Sequence, residues 1–116
     1  MEICFEGLGQ VVATFRTEDK LLPGMAVTLK DSGAVELGEE NGSPLCGVTV
    51  GAVRNGAVAV QIGGAVKVAC SGEVPDAGWQ ELACDGTGKV TKPESGGMTF
   101  LVLAADKDEH TAVIRL

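Results

Sequence analysis

Short apolar runs, broken every few positions by Gly, Pro, Asn or Asp, recur along this chain and predict strands rather than helices. Val11-Val12-Ala13-Thr14-Phe15 reads as the first strand, followed by a charged stretch through Lys20 and a turn at Pro23-Gly24. Met25 to Leu29 is the next, running into the hairpin turn Lys30-Asp31-Ser32-Gly33 and a short Ala34 to Leu37 strand. Beyond the polar loop Glu39 to Pro44, Cys46, Val48, Val50 and Ala52 alternate with Gly47, Thr49 and Gly51. A strand is expected there with the first set sharing one face. Asn55-Gly56 then predicts a type I′ hairpin turn into Ala57 to Ile62, because Asn and Gly tolerate the positive φ that both central positions need.

After Gly63-Gly64 a second set begins: Val66 to Cys70, Trp79 to Cys84, Lys89 to Thr91, Met98 to Ala104 and His110 to Leu116. A slide of about 54 residues lays Val12 on Val66, Gly24 on Gly78, Asp31 on Asp85, Val48 on Val102 and Val60 on Ile114. The order of strands, turns and loops repeats with it. One phase conflict, Val27 on Glu81, predicts a bulge in the Trp79 strand. The expectation is one all-β domain over residues 1–116, a small barrel or sandwich of short antiparallel strands. Its two similar halves, about 9–62 and 63–116, are related by this pseudo-repeat and share one core. No helix is required, although one turn fits around Thr17 to Leu21.

Composition sharpens this picture. Of 116 residues 45% are hydrophobic but only 3% aromatic, with no Tyr, so Val, Ala and Gly must fill the core. The formal charge of −7 and nine scattered Lys and Arg argue against a nucleic-acid partner, and the same charge opposes an anionic membrane surface. No apolar run approaches the ~18 residues of a membrane span. Met1 to Glu6 has no basic n-region and does not read as a signal peptide. Cys4, Cys46, Cys70 and Cys84 form no metal-ligand spacing, and without an export signal they are expected as buried, reduced thiols.

Candidate chemistry is sparse. Any Ser-His-Asp or Cys-His arrangement would have to use His110, which sits beside an acidic turn where a solvated or cross-strand role accounts for it. Asp106 to Glu109 lacks the Gly and distant Glu of a calcium loop and reads as a hairpin tip. Gly7-Leu8-Gly9 has Val12 where a third Gly would be needed, and Gly63-Gly64 has no Lys-Ser/Thr after it. No catalytic, cofactor-binding or metal-binding residue is therefore expected, and no enzyme. What remains are surfaces. Trp79 is the single large anchor, of a type often buried in a core or rim but enriched at interfaces when exposed. Ile3, Phe5 and Leu8 lie outside the repeat and either pair on this chain's own sheet or reach a neighbour.

The run Leu22-Pro23-Gly24-Met25-Ala26-Val27-Thr28-Leu29-Lys30-Asp31-Ser32-Gly33 resembles the opening of small phage head decoration, or capsid cement, proteins. Gly47-Val48-Thr49-Val50, Gly56-Ala57-Val58-Ala59-Val60-Gln61-Ile62-Gly63, Val66-Lys67-Val68 and the closing Gly97 to Leu116 stretch continue the likeness over most of the chain. The resemblance implies a β-rich fold assembled into homo-oligomers, often trimers, on the outside of an icosahedral shell. The implied partner is the major capsid protein, and the implied location the virion, by way of the host bacterial cytoplasm during assembly. It brings no catalytic residues. The alternatives are another phage tail or fibre module, or a small-molecule or carbohydrate-binding β module; one Trp without any Tyr counts against a sugar site.

Overall fold

The computed structural model describes residues 9–39, 42–93 and 97–116. They form ten strands: β1 (Val11–Arg16), β2 (Ala26–Asp31), β3 (Ala34–Glu36), β4 (Gly47–Thr49), β5 (Ala57–Gly63), β6 (Ala65–Ala69), β7 (Gly78–Cys84), β8 (Val90–Thr91), β9 (Met98–Asp106) and β10 (Thr111–Arg115). The described residues contain no helix, and the chain only bends at Glu18 and Asp19. The all-β expectation holds, as a barrel joined to a curled sheet. Asn55 and Gly56 take φ of 52° and 73°, and Arg54 and Ala57 exchange backbone hydrogen bonds of 2.8 and 3.0 Å across the turn.

β1 to β5 close into a barrel in the order β1-β3-β2-β4-β5, while β6 to β10 form a sheet in the order β6-β10-β9-β7-β8. Strand for strand, the pairings agree: β1 with β5 as β6 with β10, β5 with β4 as β10 with β9, β4 with β2 as β9 with β7, and β2 with β3 as β7 with β8. These pairs are antiparallel, as expected. The seam is not. Arg16 bridges Ala34 in parallel, joining β1 to β3, and Cys70 just beyond β6 bridges Val90 of β8 in parallel as well. The reason is counting: an antiparallel ring of five strands must contain one parallel contact.

Leu82, rather than Glu81, takes an inward position, and β7 pairs with β9 in unbroken register from Gly78 to Leu82. The expected bulge in the Trp79 strand is thus a one-residue offset between β2 and β7. A register shift occurs instead between Val113 and Ile114, where β10 meets β9.

Instead of one shared core, two clusters form. Leu21, Val27, Val35, Val58 and Val60 fill the barrel. Val66, Val68, Leu82, Val90, Phe100, Val102 and Ile114 fill the curled sheet, and Ala26, Leu45 and Val48 reach into that cluster from the barrel. β2 and β4 therefore have a covered face on both sides. This overturns the simple alternation expected around Val48. Gly47, Val48 and Thr49 are all buried, the strand ends at Thr49, and Val50 and Ala52 are exposed. A side chain has no room at Gly47, where a Cβ would run into the Gln61 carbonyl oxygen and lie 2.7 Å from Val60 Cγ1.

Backbone bonds tie the two units together. The Ala26 N–H donates to the Gly88 oxygen at 2.8 Å, and Ser43 and Cys84 exchange bonds of 3.1 and 2.8 Å. Gln61, 2% exposed, donates from Nε2 to the carbonyls of Gly63 and Ala65, both at 3.0 Å. That side chain satisfies backbone groups at the crossover that would otherwise be costly to bury.

Candidate interaction surface

Trp79 follows Gly78 at the start of β7, where the strand pairs with β9 and its odd-numbered residues point away from the core. The indole is 63% exposed. Leu101 is its partner on β9, and Arg115 is the partner of Leu101 on β10, so the three form one row across the outer face of the sheet. The Arg115 guanidinium carbon lies 5.4 Å from the indole centroid. Such a stack contributes about 0.5–1 kcal/mol when exposed. Sequence alternation carried a signal for this row. Ala112 and Ile114 point inward, and Arg115 marks the opposite face. Leu101 was hidden, since Phe100 to Ala104 is apolar on both faces.

The other predicted surface residues, Ile3, Phe5 and Leu8, lie outside the described residues, as does Cys4. Just after that segment, Val11 and Val12 are 53% and 45% exposed. Leu22, Val50 and Ile62 are further exposed apolar side chains of the first unit that the sequence did not single out.

A groove of about 380 Å³ opens where the two units meet, between Gln10, Pro23, Val50 and Lys67, with Thr49 and Gln61 in its lining. Its Thr49 and Gln61 side chains are already engaged. The Thr49 hydroxyl donates to the Leu22 oxygen at 2.6 Å and accepts the Met25 N–H at 2.9 Å, while Gln61 Oε1 accepts from Gln10 Nε2 at 3.3 Å. A small-molecule site needs convergent polar groups free to orient a ligand, and these face their own chain.

Among the described residues, the groups that could carry chemistry do not converge. His110 is exposed, with a φ of 55°, and what meets Cys70 is its backbone oxygen, which accepts the Cys70 N–H at 2.8 Å. Burial pushes the Cys46 and Cys70 thiols up, and burial, then the charge of Asp85 and the nearby Cys46, pushes Cys84 up to about 12. An activated thiol is shifted the other way. These three thiols are free. At the acidic tip the Asp106 carboxylate accepts the N–H groups of Asp108 and Glu109 at 3.0 and 3.1 Å, which is turn chemistry. Among the described residues no cluster of three or more His, Cys, Asp or Glu could hold a metal ion. Burial would raise the Asp85 carboxyl, but the Thr87 N–H, the hydroxyls of Ser71 and Thr87 and the Lys89 N–H donate to it and hold it below the usual range.

No protein-family model matches this chain, and no curated protein does. Among solved structures it is similar to the head fiber gp8.5 N base of bacteriophage phi29, with a TM-score of 0.60 and 15% identity. The match covers 92% of this chain and 93% of that one. The chain shares the fold of a phage head-fibre base. At this identity the likeness concerns the fold, and it takes in the barrel and the curled sheet together.

Proposed function

We propose that this protein is a non-enzymatic virion component that attaches to the outer surface of a phage capsid and stabilises it. The observation that carries the reading is the fold likeness to a phage head-fibre base, which runs through nearly the whole of both chains. The scattering of His110, the thiols and the acidic tip agrees with it. So does the surface, which exposes apolar side chains such as Trp79, Leu22 and Met98. A shell under internal pressure gains strength from added buried interface, and a small rigid β domain bridging subunits supplies it. Attachment through several copies multiplies modest contacts by effective concentration, which favours a homo-oligomer, a trimer first. The shared pairing scheme of β1–β5 and β6–β10 supports a further part of the reading, that the chain arose by duplication of one five-strand unit within a single domain.

A second reading, a fibre base rather than a cement, is favoured by what the phi29 protein is named for. Both place the chain on the head. Binding to purified shells tests the first reading, and binding to shells only in the presence of a fibre protein identifies the second.

A further inference from the structure

The correspondence between the two units exposes an asymmetry. In the barrel, Ala26 on β2 pairs with Val48 on β4, and Val48 with Gln61 on β5, forming one outward-facing row. That row is 0%, 1% and 2% exposed, because the second unit covers it: Ala26 and Val48 belong to the second unit's core cluster, and Gln61 bonds to Ala65. The matching strands of the second unit are β7, β9 and β10, and the row that matches by pairing is Trp79, Leu101 and Arg115, so Val48 corresponds to Leu101 and not, as the 54-residue slide has it, to the buried Val102. None of the described residues covers it, and Trp79 is 63% exposed. Among the described residues, the same three-strand face is thus an interface in one unit and uncovered in the other.

We infer that the outer face of β7, β9 and β10 is a docking face for a second copy of this chain. Equivalence with the interface already built inside the molecule is the first argument. Charge is the second. Glu81 stands beside Trp79 on β7, while Arg115 and Lys67, the cross-strand partner of Val113, stand at the far side of the same face. A symmetry axis passing near Leu101 sets Glu81 of one copy against Lys67 or Arg115 of the next, with Trp79 and Leu101 closed off between them. That composition, Trp79 and Leu101 at the centre with opposite charges at the rim, is the kind that protein interfaces favour. The inference holds whether or not the protein binds a capsid.

The test uses the full chain, followed by sedimentation velocity and by the fluorescence of its one Trp from micromolar to millimolar concentration. Average mass should rise with concentration, and Trp79 emission should move to the blue as the indole leaves water. Leu101→Glu changes a half-buried outward side chain and keeps the Trp. It should remain monomeric at the highest concentration with an unchanged circular dichroism spectrum. Glu81→Lys, at an exposed site where folding is not at stake, should weaken association at least about tenfold, and the double variant Glu81→Lys/Lys67→Glu should restore it. A parent that stays monomeric throughout overturns the inference. So does a parent whose mass rises while its emission stays fixed, or a Glu81→Lys variant that associates like the parent.

Discussion

Replacing Gly47 with Ala should be among the most damaging single-methyl changes in this chain. β4 is three residues long and lies between the barrel interior and the second unit, so it has nowhere to move. The new Cβ would overlap the Gln61 carbonyl oxygen of β5 and sit 2.7 Å from Val60 Cγ1. Because the nearer obstacle is backbone, relief requires β4 and β5 to separate. That strains the pairs Val48–Gln61 and Thr49–Val60 and the contacts of Val48 with the second core. Overpacking of this kind costs about 1–3 kcal/mol, and the backbone clash puts Gly47→Ala at the top of that range. For a domain of this size the loss lowers the melting temperature by about 10–20 °C. Gly51→Ala is the control. It lies two residues past the strand, with nothing within 4 Å of its Cβ and no positive φ, so Ala there should be neutral or stabilising by up to about 1 kcal/mol. Urea unfolding followed by far-ultraviolet circular dichroism compares the two. Equal midpoints for Gly47→Ala and the parent would refute the placement of β4 between the units.

Other outcomes follow from the same packing. Ile114, fully buried in the second core, should cost about 2–5 kcal/mol when cut to Ala, read as a shift of the urea midpoint at constant slope. Asp85 titrates below its unfolded value near 3.9, so its stabilisation is complete above that pH and lost as pH falls through its folded value. Acid unfolding should therefore be shallower in Asp85→Asn, and identical acid slopes would contradict the bonded carboxylate. Cys84 keeps its proton to about 12 when folded, whereas an unfolded thiol ionises near 8.5. Stability should thus fall by up to about 1.4 kcal/mol per pH unit in between, and Cys84→Ala should reduce that slope. A thiol reagent should reach half-buried Cys46 before Cys70 and Cys84, and count four thiols once the chain is denatured without reductant.

Most strands were legible because turn chemistry is local. Asn55-Gly56 dictates its own hairpin, and Pro23-Gly24 and the Asp-Gly turns punctuate the rest. What sequence could not show was which faces meet between units. Ala26, Val27, Val48 and Thr49 read as one half-buried sheet, yet their two sides feed two different cores. That follows from docking the barrel on the sheet, a long-range event without a periodic signature. Trp79 was legible as an anchor, but its row partners emerged only from the cross-strand register. The parallel seam was likewise invisible, since it comes from the number of strands in the ring.

Attachment to a phage head is put to the test by co-sedimentation with shells assembled from a phage major capsid protein. The purified protein should pellet with the shells, saturate at a fixed ratio to capsid subunits, and raise the temperature at which the shells come apart. If it stays in the supernatant at concentrations where the shells are in large excess, and leaves their thermal stability unchanged, the capsid reading is wrong.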